Sequence, residues 1–339
     1  MLSIPSSTAP AVAARCVGVR APGRLHLGFL DPSASLGRPF GSLGLVIDGF
    51  ETAVELRPAA SQHVSAADTA AQAEAPRALE HLRSLQRATG ADAPLHLHLA
   101  QVLPAHAGFG SGTQLALAVG RAFATLHGLA IPTVELARLL GRGLRSGVGI
   151  AGFDRGGLLV DGGPGPDGGP APLLSRIEPP AGWRVLLALD PGRAGLSGSD
   201  EKTAIARLPR FSRERAAEIC HEVLMRVLAG AASNDFEAFA AGLSRVQRLV
   251  GQHFAPAQGG SVYASPAVER LCEWIAGYRV AGVGQSSWGP TGFAVLPSQA
   301  EAEAVERAAR AAGVVDPALR LHIVAPRSGG AVITDRREA

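Results

Sequence analysis

The sequence predicts an α+β protein of two halves, and three observations carry that prediction. An alternating segment, Leu95, Leu97 and Leu99, runs through the loop Leu103-Pro-Ala-His-Ala-Gly-Phe-Gly-Ser-Gly-Thr113 into an Ala/Leu-rich helix, Leu115 to Leu126. Asp161 to Pro172 is almost wholly Gly, Pro and Asp, which marks a boundary between halves. Beyond it, several helical segments precede a strand, loop, strand, helix, strand series, the pattern of a mixed or antiparallel sheet.

The 339 residues suffice for two domains, and 47% hydrophobic against 18% charged residues supports a sizeable core. A net charge of +3 and 5% aromatic residues disfavour nucleic acid as a partner. Lys202 is the only lysine, so anions must be met by arginine forks, helix ends or a metal. Cys16, Cys220 and Cys272 are odd in number and match no zinc spacing; free thiols in a reducing, cytoplasmic setting are expected. Residues 1–16 read as a loose tail without the basic start of a signal peptide, and no apolar run is long enough to cross a membrane.

In chain order, Cys16 to Arg20 and Arg24 to Phe29 read as strands separated by a turn at Ala21-Pro-Gly23. The second sets Leu25, Leu27 and Phe29 on one face and Arg24 and His26 on the other. Leu43 to Ile47 and Thr52 to Arg57 are two further strands joined through Asp48-Gly49. Ser61 to Ala75 is expected to be a surface connection, and Pro76 to Thr89 an amphipathic helix. His96 and His98 share the polar face of the next strand; no third ligand completes a metal set, so a solvated face is the simpler reading. Pro132 opens a helix to Leu140. The glycine-rich run from Arg142 to Gly157, with Arg142, Arg145, Asp154 and Arg155, suggests backbone pressed close to a charged ligand.

In the second half, Trp183 to Leu189 is a buried-type strand and Asp200-Glu-Lys-Thr203 opens a helix. Helices are expected at 213–228, 235–250 and 266–276. Strands follow at 279–283, 292–296 and 319–324, with a helix at 300–312. Residues 327–339 read as a polar tail, giving expected domains at 17–172 and 173–326.

Strand, Gly/Ser/Thr loop and helix is the geometry that cradles phosphate. Glycine admits close backbone approach, and a helix start offers unpaired N–H groups and a positive dipole end. Gly108, Gly110, Ser111, Gly112 and Thr113 form this candidate cradle, with Ser111 or Thr113 either capping the helix or reaching a metal. The loop lacks the Gly-Lys-Ser/Thr of a Walker A motif. His106 either touches phosphate or caps a turn.

Three segments now stand in order: Pro22-Gly-Arg-Leu-His-Leu-Gly28, Pro104-Ala-His-Ala-Gly-Phe-Gly-Ser-Gly-Thr113 and Gly282-Val-Gly-Gln-Ser-Ser-Trp-Gly-Pro290. Together they resemble the three motifs of the GHMP superfamily, over roughly Val17 to Pro326. The departures are themselves informative. The second motif reads Gly108-Phe-Gly-Ser-Gly-Thr113 instead of the kinases' Gly-Leu-Gly-Ser-Ser-Ala, and Gln285, Ser286, Ser287 and Trp288 interrupt the third. With Arg24-Leu-His-Leu-Gly-Phe-Leu-Asp31 and Arg145-Ser-Gly-Val-Gly149, the chain resembles the beta-ribofuranosylaminobenzene 5'-phosphate synthases, a non-kinase branch.

That resemblance implies an N-terminal half like domain 2 of ribosomal protein S5, a ferredoxin-like C-terminal half and a cleft between them. It implies transfer from phosphoribosyl pyrophosphate to 4-aminobenzoate or a 4-hydroxybenzoate-type acid, with loss of carbon dioxide and pyrophosphate, in tetrahydromethanopterin synthesis. Magnesium is expected and ATP is not required. Small-molecule substrates and a homodimer are expected, with neither nucleic acid nor membrane. Arg24, His26, Asp31 and Asp154 are the expected catalytic residues. Arg142 and Arg145 are expected on the ribose phosphate, and Thr113 and Asp154 on metal. Gln285, Ser286 and Ser287 are expected to close the cleft; Trp288 either stacks on the acceptor or belongs to the core. Two alternatives remain open here: an ATP-dependent small-molecule kinase of the superfamily, and a non-catalytic ligand-binding relative.

Overall fold

The first strand is long because its apolar residues never stop alternating: Val17, Val19 and Ala21, then Leu25 and Leu27, are all fully buried. In the computed structural model, which describes residues 15–35, 37–166, 168–195 and 198–337, β1 runs unbroken over Arg15–Asp31. The expected turn at Ala21-Pro-Gly23 is instead a bulge between Pro22 and Arg24, followed by a second between His26 and Gly28. An inserted residue re-aims the side chains beyond it. Val17, Val19 and Ala21 accordingly pack in one core, and Leu25, Leu27 and Phe29 in another. The expected pair of strands around Asp48-Gly49 is also one element, β2 (Phe40–Pro58), antiparallel to β1.

After β2 come β3 (His63–Ala66), α1 (Thr69–Thr89) and β4 (Leu95–Gln101), so the expected surface connection holds a short strand and the first turns of a helix. Asp68 caps that helix, which carries Pro76 within it. Then follow α2 (Ser111–Leu126), α3 (Thr133–Leu139), α4 (Val148–Arg155), β5 (Leu158–Asp161) and β6 (Leu173–Ile177). β6 pairs with β5 and β5 with β2. The Asp161–Pro172 run therefore joins two strands of one sheet, and the first half extends past its expected end at 172.

The second half comprises β7 (Arg184–Leu189), α5 (Gly198–Arg207), α6 (Arg213–Glu222), a π-helical stretch Val223–Leu228, α7 (Ala229–Ser233), α8 (Phe236–Phe254) and α9 (Pro266–Tyr278). It continues through β8 (Gly282–Gln285), β9 (Gly292–Leu296), α10 (Gln299–Ala311) and β10 (Arg320–Val324). The antiparallel sheet order is β10-β7-β9-β8. β11 (Val332–Arg337) then returns to pair with β1 across Arg15–Arg20. The expected polar tail thus supplies an edge strand to the first sheet, whose main path is β11-β1-β2-β4-β3.

One core joins the halves. Leu25, Leu27 and Leu45 from the first sheet meet Val185 on β7 and Phe239, Leu243 and Val246 on α8. Among the described residues no helix is long and apolar enough to cross a membrane.

Candidate active site

The three glycine-rich segments converge on one another. The His26 backbone N–H donates to Ser286 Oγ at 2.9 Å, and that hydroxyl donates to the Gly108 carbonyl at 2.7 Å. The Ser287 N–H returns to the His26 carbonyl at 3.1 Å. Arg24 joins the same node, its Nη1 donating to the Gly108 carbonyl at 3.0 Å. Gly108 is required there: its φ is +94°, and a Cβ would lie 2.5 Å from the Ser286 carbonyl oxygen.

Around this node lies a cavity of about 550 Å³. Arg24, His26, Gly108, Gly110, Ser111, Gly112, Thr113, Arg142, Arg145, Ser287 and Trp288 all line it, as the sequence pattern anticipates, and His106 does so too. The α2 helix starts at its wall. Gly110, at φ +76°, is the cap residue, so neither Ser111 nor Thr113 is the N-cap, and both line the cavity. Gln285 and Ser286 are buried and absent from this cavity's lining. Ser286 holds the node, while Gln285 accepts from the Ala264 N–H and donates to Gln258 Oε1.

Two expected residues are elsewhere. Asp154 sits exposed in the last turn of α4, accepting from Thr133 Oγ1 at 2.6 Å, while the opposite end of that helix approaches the cleft. Asp31 is buried at the end of β1, accepting from the Ser33 N–H and the Ser35 hydroxyl in a local turn. Their acidic character suggested metal or cation chemistry, yet neither lines the cavity. The described cavity lining contains four arginines and no Asp or Glu.

Three contributors escaped the sequence reading. Arg77 lies inside the helix expected from Pro76 to Thr89, but nothing in its spacing aims it at a loop beyond residue 100; it lines the cavity and pairs with Glu74 at 2.9 Å. His81, buried on the same helix, approaches Arg142 Nη2 at 3.3 Å. Asp161, fully buried, accepts from the N–H groups of Gly147 (2.7 Å), Val148 (3.1 Å) and Gly163 (2.8 Å). It thereby occupies the start of α4 and fixes the loop that presents Arg145. Burial pushes its carboxyl upward, and the backbone N–H groups pull it back.

His26 has a defined tautomer. The Gly28 N–H donates to its Nδ1 at 3.3 Å, which leaves the proton on Nε2, a buried atom with no hydrogen-bond partner in the protein. Burial, then Arg24 and Arg145, pushes its pKa well below the ordinary histidine value. Burial, then Arg142 and Arg77, takes His81 down to about 4. Both rings are therefore neutral in the folded protein near pH 7.

A pH dependence of stability follows. Below about pH 6.5 the unfolded chain takes up protons that these folded imidazoles refuse. Stability is thus full above that pH and falls as pH drops toward the lowered folded values. The slope reaches about 1.4 kcal/mol per pH unit for each histidine. The urea midpoint is expected to fall between pH 7 and pH 5, and less steeply in His81→Gln. Parallel profiles for wild type and variant would contradict the assignment to His81.

Fold and cleft together define a protein of the GHMP class. The model described as "GHMP kinases N terminal domain" matches residues 65–157, and "GHMP kinases C terminal" matches 212–315. The homoserine kinase structure from Cytophaga hutchinsonii superposes with a TM-score of 0.68 at 17% identity, covering 98% of this chain and 100% of that one. Mevalonate diphosphate decarboxylase from Staphylococcus aureus gives 0.68 at 12% identity, covering 95% and 98%. These two likenesses concern the fold alone.

Within that class the sequence relatives are specific. The beta-ribofuranosylphenol 5'-phosphate synthase of Archaeoglobus fulgidus is 33% identical over 83% of this chain and 88% of its own length. That of Methanothermobacter thermautotrophicus is 28% identical over 82% and 88%. The chain belongs to the beta-ribofuranosylphenol (aminobenzene) 5'-phosphate synthase family, a non-kinase branch of the GHMP superfamily.

Proposed function

We propose that the protein is a pentosyltransferase. It moves the ribose 5-phosphate unit of phosphoribosyl pyrophosphate onto the carboxyl-bearing ring carbon of 4-aminobenzoate or a 4-hydroxybenzoate-type acid. Carbon dioxide and pyrophosphate leave. The relatives' names speak of a ribofuranosylphenol; a hydroxybenzoate acceptor gives that product, and aminobenzoate its aniline counterpart. A role in tetrahydromethanopterin synthesis belongs to the same proposal.

The supporting observation is a cavity with four guanidinium groups, a helix start and no carboxylate in its described lining. Such a site suits a substrate that brings a monophosphate and a diphosphate. When the C1–O bond breaks, its electron pair leaves with pyrophosphate. The Gly108–Thr113 backbone and Arg24 stabilise that charge, and Arg145 and Arg142 hold the 5-phosphate. The ring carbon attacks the opposite face of the sugar, giving the β-riboside. The ring carbon's bond to the carboxylate then breaks, and its pair restores aromaticity. No base is needed at carbon, in keeping with His26, whose acceptor nitrogen Nδ1 is taken by the Gly28 N–H.

The donor set at the loop, hydroxyls of Ser111 and Thr113 without a carboxylate, fits a magnesium ion carried in on the diphosphate and not one caged by protein. When bound there, that ion would neutralise charge on the departing group. ATP has no part in this reaction.

The test is incubation with phosphoribosyl pyrophosphate, magnesium and each acid labelled in its carboxyl carbon. Labelled carbon dioxide, pyrophosphate and an aryl riboside in equal amounts are expected. Retained label with consumption of added ATP would select the kinase alternative.

A further inference from the structure

A second chamber, of about 330 Å³, adjoins the arginine cavity and shares His26, Phe29, Ser287 and Trp288 with it. It lies among α8, α9, β8 and the Val262–Tyr263 segment. Its walls are largely apolar: Val250, Phe254, Val262 and Val283 line it. Where it meets the arginine cavity stand two residues with buried, unpartnered donors, His26 Nε2 and Trp288 Nε1, each residue only 3% exposed. Arg248, exposed on α8, and Glu273 and Ala276, exposed on α9, also line it.

Unpaired donors in an apolar site call for acceptor oxygens, because a buried N–H that has lost its water and found no partner is destabilising. The apolar walls call for a flat hydrophobic body. Trp288 resolves accordingly: its ring packs 4.3 Å from Phe254 in the core, and its N–H has no partner in the protein. The chamber volume lies within the usual range for small-ligand sites.

We infer that this second chamber binds the aromatic acid, carboxylate inward on His26 Nε2–H and Trp288 Nε1–H, through an entrance distinct from that of the sugar diphosphate. The inference rests on the transferase reading for the identity of the acid. It places the carboxyl-bearing ring carbon where the two chambers meet, facing the sugar's anomeric carbon. Neutral donors suit a carboxylate that must leave, because hydrogen bonds to a cation are about twice as strong and would hold it back. Arg248 draws the anion to the entrance.

Calorimetry with 4-aminobenzoate, 4-hydroxybenzoate and phenol on the full chain tests this. Wild type is expected to bind either acid at least tenfold more tightly than phenol. Ala276→Trp, at an exposed helical position, is expected to weaken both acids at least tenfold and to leave pyrophosphate binding within twofold. Arg248→Glu is expected to weaken the acids and leave phenol unchanged. Unaltered acid binding in Ala276→Trp, or displacement of the acid by pyrophosphate, would overturn the inference. Acid binding that Ala276→Trp blocks, in an enzyme releasing no label, would uphold the chamber and refute the transferase reading alone.

Discussion

Gly110→Val is expected to reduce turnover about 10³-fold while the protein stays folded. Gly110 sits at φ +76° at the start of α2, where a side chain costs about 1–2 kcal/mol. A Cβ there would also lie 3.1 Å from Arg24 Cζ, so the guanidinium must give way. The substitution disturbs the backbone N–H cradle and an arginine together. Loss of a single such donor commonly costs 10²–10³ in rate. Gly90 supplies the control. It has φ +72° at the end of α1, and nothing lies within 4 Å of its Cβ position. Gly90→Val carries similar backbone strain far from the cleft, so it should lower the melting temperature by a comparable few degrees and keep full activity. Kinetics and thermal melts on both variants separate strain from site geometry. A Gly110→Val enzyme as active as its Gly90→Val counterpart would remove the loop from the chemistry.

The residues legible in the sequence were those whose role is local. Gly108 to Thr113 declare themselves because strand, glycine loop and helix are contiguous, and Arg24 and His26 because β1 alternates. Arg142 and Arg145 stand beside glycines that the fold needs. What stayed hidden depends on distant partners. Ala21-Pro-Gly23 signals an interruption of pairing, which a turn and a bulge satisfy equally; only the partner strand, β2, decides. Residues 327–339 are too polar to look like a strand, and β11 forms because β1 has a free edge at Arg15–Arg20. Asp31 and Asp154 carry the right charge and the wrong direction: one closes its own turn, the other points from the remote end of α4 to Thr133. No periodicity reports which end of a short helix faces a cleft.

Asp161 is the clearest case of a residue whose importance only the folded chain reveals, and its removal should be costly. Asp161→Ala is expected to lower stability by at least about 3 kcal/mol. Three backbone N–H groups would lose their acceptor inside the protein, each worth about 1–3 kcal/mol when orphaned. Ser146 Oγ, at 3.3 Å, would lose it as well. Asp161→Asn keeps one acceptor oxygen and turns an NH₂ toward N–H donors, so it should recover only part of the loss. The functional consequence follows from position. Gly147 and Val148 directly follow Arg145 and Ser146, both in the cavity wall, so freeing them releases the arginine proposed for the 5-phosphate. Phosphoribosyl pyrophosphate is therefore expected to bind at least tenfold more weakly to Asp161→Asn, whereas pyrophosphate, for which the proposed seat is the Gly110 loop, should bind nearly as in wild type. Urea midpoints and calorimetry with the two anions check both parts. Equal weakening of both would locate the damage in the whole cleft, and unchanged values would leave Asp161 without the organising role that its hydrogen bonds assign to it.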